Sequence, residues 1–216
     1  MVHGKFKIFV LIFLLTGLTE VVTAQNFHGG VAAGLVGSQV AGDTYSGYNK
    51  AGIFAGGYVG WEFTKHSGIQ LELEYFQKGS RKNPDPDKND YSSLIFRLNY
   101  VELPVLYQYR IKWFIIEGGP SAGFLMGYYE EADQQIISDE EGYNKPARIT
   151  LQINLGIRVF FSDHWGFDFR TNNSLLNIRT ENRGGIKPGE GGDVWRLWGY
   201  GQFNDALVLS VFYQIK

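Results

Sequence analysis

The chain has 216 residues, with 20 basic and 22 acidic side chains, 28 glycines and no cysteine. This near-neutral balance argues against a nucleic-acid-binding protein, which carries a basic surface. Without cysteine the fold has no disulfide framework, so its stability must come from backbone pairing and packing. The length fits one domain, and the many glycines and aromatic residues favour β-structure.

The first residues have the three parts of a secretory signal peptide. Lys5 and Lys7 precede the apolar run IFVLIFLLTGLT (8–19), and the segment VTA (22–24) ends at a cleavage position before Gln25. The apolar run is shorter than the roughly 20 residues that cross a bilayer as a helix. We therefore predict a cleaved signal peptide at 1–24 and one mature domain at 25–216.

Eight segments of the mature chain alternate between apolar and polar residues, which is the period of a β-strand with two unlike faces. The clearest is ITLQINLGIRVFF (149–161), where every odd-numbered residue is apolar. The predicted strands are 27–40, 51–63, 68–79, 93–110, 113–128, 147–161, 165–178 and 204–216.

The connections between these segments are alternately long and short. Segments 64–67, 111–112 and 162–164 are short, whereas 41–50, 80–92, 129–146 and 179–203 are long and polar. This order is typical of an up-and-down antiparallel barrel with every long loop at one end. In outer-membrane barrels the short turns are periplasmic and the long loops extracellular.

Alternation alone does not decide whether the apolar face meets lipid or fills a core, so a secreted lipocalin-like ligand-binding barrel stays an alternative. The long strands and two groups of aromatic residues favour lipid, since aromatic girdles mark both membrane interfaces. We predict an all-β, eight-stranded antiparallel up-and-down transmembrane β-barrel in the outer membrane of a Gram-negative bacterium, with a periplasmic N-terminus. The first group is Phe27, Trp61, Phe63, Tyr107, Tyr109, Trp113, Phe161 and Trp165; the second is Tyr75, Tyr128, Tyr129, Tyr200 and Phe203.

The fourth predicted strand changes its phase. Its apolar residues are even-numbered up to Tyr100 and odd-numbered from Val101 onwards. A β-bulge near Tyr100–Glu102, beside Pro104, would keep both halves facing lipid. We predict such a bulge.

Charged residues on the polar faces are expected to fill the lumen, because eight strands leave an interior just wide enough for side chains. Their opposite signs predict a plug network, with a narrow channel or porin for small solutes as the alternative. The predicted network is Glu72, Glu74, Arg97, Glu102, Arg110, Glu117, Arg158, Asp168 and Arg170.

No catalytic, cofactor or metal site is predicted. The three histidines of the mature chain, His28, His66 and His164, all fall at the short-turn end, away from the long loops. The loop NPDPDKND (83–90) begins with the spacing of a calcium loop, but it lacks the required glycine and final glutamate.

Basic residues in or near the long loops are candidates for contact with lipopolysaccharide phosphates. The other expected partners are outer-membrane lipid and the barrel-insertion machinery. The candidate residues are Lys78, Arg81, Lys82, Arg179, Arg183 and Lys187.

Three segments resemble the PorT-like outer-membrane β-barrel family: ELEYFQKG (72–79), LNYVELPVLYQYR (98–110) and IEGGPSAGFLMG (116–127). They are similar to the family pattern EL-x-Y-x-x-KG, then L-N-Y-x-E-x-P-x-L-x-K-Y, then G-x-G-x-x-x-G. The end of the chain, FYQIK (212–216), departs from a terminal aromatic residue. The resemblance implies a barrel with a structural or scaffolding role, or one associated with secretion or envelope proteins, since some members are implicated in type IX secretion and gliding.

Overall fold

The structure, a computed structural model, describes residues 27–43, 45, 47–179, 194–196 and 199–215. The predicted signal peptide at 1–24 lies outside these residues. The strands are β1 (Phe27–Ala41), β2 (Lys50–Glu62), β3 (Ser67–Lys82), β4 (Leu94–Ile111), β5 (Phe114–Ala132), β6 (Gln135–Ile136), β7 (Ile149–Phe160), β8 (Trp165–Ser174), β9 (Val194–Arg196), β10 (Gly199–Gly201) and β11 (Phe203–Ile215).

Eight of these strands form one closed antiparallel barrel. Their order is β4-β3-β2-β1-β11-β8-β7-β5, and pairing of β4 with β5 closes the circle. The predicted eight-stranded up-and-down barrel is therefore confirmed. The short strands β6, β9 and β10 belong to long connections, and β8 ends at Ser174 instead of continuing to 178.

Helical structure is minor in the described part of the chain. One turn of 3-10 helix, Pro86–Lys88, lies in the connection between β3 and β4. Among the described residues, no helix is long and apolar enough to cross a membrane.

The outer wall is apolar through the middle of the barrel. On β7 the odd-numbered Ile149, Leu155 and Ile157 are exposed, while the intervening Asn154 and Arg158 are buried. The same alternation runs through the neighbouring strands because successive side chains of a strand point to opposite faces. The prediction of an apolar outer face and a polar interior holds here.

Aromatic residues surround the short-turn end of the wall. All eight members of the first predicted group are exposed there, and neighbours such as Phe27 and Trp61 stack with their ring centroids 6.3 Å apart. The second group is less regular, since Phe203 is buried beneath Arg196, whose guanidinium lies 4.9 Å from its ring, and Tyr128 packs against the apolar cluster inside the barrel.

The predicted phase change in β4 is wrong. Even-numbered side chains of β4 point inward along its whole length, so Leu98 and Tyr100 are fully buried like Leu106 further down. A register shift does occur beside Tyr100, but the extra residue is Met126 of β5, because Asn99 pairs with Gly127 and Tyr100 pairs with Leu125.

The reason is that the barrel reverses its polarity near the long-loop end. Around the barrel at the height of Asn99, several strands carry a polar residue at their outward position. We call these residues the polar ring: Gln39, Gln77, Asn99, Asn173 and Asp205. Inside lies a cluster that we call the apolar plug: Val36, Val40, Phe54, Phe76, Phe96, Leu98, Tyr100, Ile178, Ala206 and Val208. Apolar side chains that turn inward behind a polar outer face are the arrangement expected of a wall that meets water, as in a soluble protein.

Candidate functional site: the barrel interior and its outer rim

Arg170 is the centre of the polar interior. Its guanidinium lies 2.6 Å from Glu72, 2.9 Å from Glu74, 2.7 Å from Glu117 and 2.8 Å from Asp168. These five side chains come from β3, β5 and β8 and are at least 96% buried. Burial of a charge is tolerated only with such pairing, so one cation holds together carboxylates from three strands.

Arg158 of β7 occupies the next layer towards the short turns. It donates to Gln70 at 2.8 Å, and its nearest carboxylate is Glu117 at 4.0 Å. Its guanidinium also covers the rings of Phe212, at 4.0 Å, and Tyr58, at 4.5 Å. Stacking on aromatic faces suits a planar guanidinium in a confined space.

Lys78 lies in the layer towards the long loops and corrects one prediction. It was expected to contact lipopolysaccharide, but it is fully buried and pairs with Glu102 at 2.5 Å and with Asn172 at 2.5 Å. Its phase in β3 is even, like that of Glu72 and Glu74, so its side chain must enter the lumen.

Two arginines of the predicted interior network lie elsewhere. Arg97 is on the outer wall, where its guanidinium faces the ring of Tyr129 at 5.9 Å. Odd-numbered side chains of β4 point outward along the whole strand, so Arg97 points outward as well. Arg110 is at the short-turn mouth, half exposed, where it pairs with Glu62 at 2.9 Å.

The remaining basic residues of the predicted lipopolysaccharide set have varied surroundings. Arg81 is exposed and donates to Asn83 at 2.8 Å, while Lys82 pairs with Asp90 at 2.6 Å. Arg179 is tucked into the long-loop end of the barrel, beside Glu130. Arg183 and Lys187 lie outside the described residues.

Above the apolar plug, one ion pair joins the long connection after β8 to the end of β5. Arg179 contacts both carboxylate oxygens of Glu130, at 2.6 and 2.9 Å, and the hydroxyl of Tyr143 donates to the same carboxylate. Burial, and then this hydrogen bond, raises the pKa of the Tyr143 phenol. We call Glu130, Tyr143 and Arg179 the loop latch; it lies against the plug, with Arg179 4.6 Å from the ring of Phe96.

Little open space is left beside the charges. The cavity next to Arg170 measures about 10 Å³, and so does the one at the short-turn mouth beside Arg110. A volume of this size holds about one water molecule.

The histidines and the aspartate-rich loop have ordinary local partners. His66 Nδ1 lies 3.2 Å from the carbonyl of Arg110, and His164 Nδ1 lies 2.9 Å from that of Gln214. In the loop, Asp85 pairs with Lys88 at 2.8 Å, so its carboxylate contacts an ammonium group.

Sequence reasoning missed the uncharged half of the interior. Buried amides link the ionic layers: Gln108 donates to Gln70 and Glu117, and Asn172 donates to Glu102 and Asn154. These residues have even numbers on strands whose even-numbered side chains point inward, so the alternation could have identified them. The prediction considered only the charged residues at such positions. The apolar plug was missed because apolar residues were all assigned to the outer face.

The family described as "Outer membrane protein beta-barrel domain" matches residues 23–179, and the chain belongs to this family. It is thus an outer-membrane β-barrel protein. Among curated protein sequences no match is found.

Several solved outer-membrane structures are similar to the chain. Ail, the attachment invasion locus protein of Yersinia pestis, has a TM-score of 0.48 and 12% identity over 88% of this chain and 99% of Ail. Neisserial surface protein A has a TM-score of 0.47 and 10% identity over 87% and 96%. OprG from Pseudomonas aeruginosa has a TM-score of 0.37 and 11% identity over 88% and 94%.

Proposed function

We propose that this protein is a plugged structural or scaffolding barrel of PorT-like type, without a catalytic site. The observation that carries the proposal is the double filling of the lumen. Arg170 and its four carboxylates occupy the middle, and the apolar plug occupies the long-loop end. An ion crossing this interior would have to leave the charged layer and pass through hydrocarbon, which is energetically costly.

The test is conductance in planar bilayers. The purified barrel is expected to give no ion current, because neither layer leaves a continuous water path. A variant that thins only the plug, Phe76→Ala with Leu98→Ala, is also expected to give no current because the charged layer stays filled, and heat-modifiable migration is the control for a folded barrel. Steady unitary currents from the unaltered barrel would favour the narrow channel instead.

The proposed role also fixes an orientation, with the N-terminus and short turns in the periplasm and the long loops outside. Support comes from the polarity reversal at the long-loop end, since β3, β4 and β5 continue beyond the polar ring into water. An epitope inserted at Asp87 should be accessible to antibody on intact cells, whereas one at Lys112 should not. Heat-modifiable migration in SDS gels separates this membrane barrel from a secreted ligand-binding barrel.

Association with secretion or envelope proteins is the second part of the proposal. The loop latch supports it, because the connections after β5 and β8, joined by the hydrogen bond from Arg179 to the Tyr143 hydroxyl at 3.1 Å, present a defined surface to a partner. Crosslinking in intact outer membranes, followed by purification of the barrel, is the measurement. Recovery of the barrel alone would weigh against a scaffolding role and leave the plugged fold untouched.

A further inference from the structure

The outer face of β3 and β4 changes character in a regular sequence of steps. From the middle of the barrel towards the long loops, the outward residues of β4 are Leu103, Val101, Asn99 and Arg97. The outward residues of β3 follow a similar series, from Leu73 through Tyr75 and Gln77 to Arg81, although Arg97 itself pairs with Gly79 and Arg81 pairs with Ile95, the next outward residue of β4. Along this face, apolar side chains are followed by side-chain amides and then by guanidinium groups.

We propose that Arg97 and Arg81 bind the phosphate groups of lipopolysaccharide in the outer leaflet. The proposal rests on the orientation proposed above, and it replaces the buried Lys78 and Arg179 of the predicted set with Arg97. A guanidinium presents several N–H donors in a fork that matches phosphate oxygens. Arginine at the rim of a lipid-facing wall is therefore suited to a phosphorylated headgroup.

Both guanidinium groups are available for such a ligand. Within the described residues, neither Arg97 nor Arg81 is ion-paired with a carboxylate, whereas Lys82 pairs with Asp90. Glu131 of β5, which pairs with Ile95 next to Arg97, accepts a hydrogen bond from Tyr129.

The height of the pair fits the headgroup layer. Arg97 is four residues beyond Val101, and a strand tilted by about 40° rises about 10 Å over four residues. The headgroup layer begins where the hydrocarbon core ends and extends for several ångströms. The phosphates of the leaflet thus lie within reach of a long arginine side chain.

The amides below the arginines favour a glycolipid. Asn99 accepts hydrogen bonds from Tyr75 at 3.0 Å and from Gln77 at 3.2 Å, which forms a polar shelf between the lipid-facing wall and the guanidinium groups. Amide and phenol groups hydrogen-bond to sugar hydroxyls. The combination of this shelf with a guanidinium pair fits a phosphorylated sugar, which is the headgroup chemistry of lipopolysaccharide.

The experiment compares two double charge reversals in the purified, full-length folded barrel in neutral detergent. Arg81→Glu with Arg97→Glu alters the proposed site, and Lys65→Glu with Lys112→Glu alters two exposed basic residues at the short-turn end by the same charge. Binding of bisphosphorylated lipid A is measured by native mass spectrometry. We expect the first variant to bind about tenfold more weakly and the second to bind like the unaltered barrel.

The phosphate group is tested by using dephosphorylated lipid A as a second probe, which should bind the unaltered barrel as weakly as the first variant binds lipid A. Inorganic phosphate at the same concentration should not compete, because it lacks the acyl chains and sugar. Undiminished binding by Arg81→Glu with Arg97→Glu overturns the proposal. If that variant fails to show heat-modifiable migration, Arg81→Gln with Arg97→Gln takes its place with the same expected direction and the same overturning result.

The two variants also distinguish a wrong membrane orientation from a wrong phosphate site. If the short-turn variant loses lipid A while the rim variant keeps it, both the site and the orientation are wrong. If the rim variant keeps its binding while the Asp87 epitope is accessible on cells, only the phosphate site is wrong.

Discussion

At the scale of single residues, Arg170 is the side chain on which the interior depends most. It is the shared partner of four buried carboxylates that would otherwise repel one another within the lumen. The sequence predicted the members of this group, because each is a charged residue on an inward phase. It did not predict which cation is central, since that depends on how far the strands are staggered around the barrel.

Replacement of Arg170 by Leu is expected to lower the free energy of unfolding by about 3–5 kcal/mol or to prevent insertion, since it leaves several buried carboxylates without their partner. Urea unfolding in bilayers, followed by heat-modifiable migration, measures the effect. Arg110→Leu is the matched control; its pair with Glu62 is partly solvated, and about 0–1 kcal/mol is expected. Equal losses in the two variants would contradict the central role of Arg170.

Asp90, in the loop after β3, has a pKa that depends most on its contact with Lys82. The Lys82 ammonium, followed by the Ser92 hydroxyl, lowers the pKa of Asp90 to about 2. The pKa of Asp90 in the folded protein is below the ordinary aspartate value of about 3.9. The ionised carboxylate therefore stabilises the loop fully above about pH 3.9, and this stabilisation is lost as the pH falls through about 2.

Lys82→Gln should therefore move the pKa of Asp90 up towards the ordinary aspartate value, as measured by NMR titration of its carboxyl carbon. Lys88→Gln, which removes the partner of Asp85 instead, should leave the pKa of Asp90 low. A similar rise in both variants would show that the general positive charge of the loop, and not the Lys82 contact, is responsible.

At the scale of elements, the strands were predictable and their facing was predictable only in part. Strand β7 is apolar on one face along its whole length, and that face is outward as predicted. Strand β4 crosses from lipid into water, so its apolar residues change sides while its backbone keeps its phase. A sequence pattern records polarity but not the surrounding medium, and this is why a bulge was assigned to the wrong strand.

Close contact between β1 and β11 depends on Gly34. A Cβ atom at this position would lie 2.2 Å from the carbonyl oxygen of Leu209, which is backbone and cannot move aside cheaply. Gly34→Ala is expected to lower the free energy of unfolding by about 1–3 kcal/mol through overpacking. Gly57→Ala is the control, since its nearest described atom would be 3.6 Å away; equal unfolding midpoints in urea would contradict the prediction.

The loop latch connects elements that are far apart in the chain. Tyr143→Phe removes the donor to Glu130, and a loss of about 1 kcal/mol in local stability is expected. Hydrogen exchange should become faster at the amide of Ala147, which is bonded to the carbonyl of Ile178 at 2.6 Å. Tyr91→Phe, at a largely exposed tyrosine, should leave that exchange rate unchanged, and an equal acceleration would contradict the latch.

At the scale of the whole molecule, the barrel consists of two zones with opposite polarity. Below the polar ring, hydrocarbon is outside and ion pairs are inside; beyond it, amides and charges are outside and the apolar plug is inside. The first zone matches a bilayer and the second matches water. The sequence predicted closure and the lipid-facing wall, whereas the position of the ring required the register between strands.

Spin labels placed one at a time from residue 95 to 107 of β4, in the reconstituted barrel, test this two-zone account most directly. Oxygen partitions into lipid and a nickel chelate stays in water, so their relative effects on each label identify its surroundings. We predict lipid exposure at 101, 103, 105 and 107, water exposure at 95 and 97, and shielding from both probes at 96, 98 and 100. Lipid exposure at 96, 98 and 100 would contradict the account.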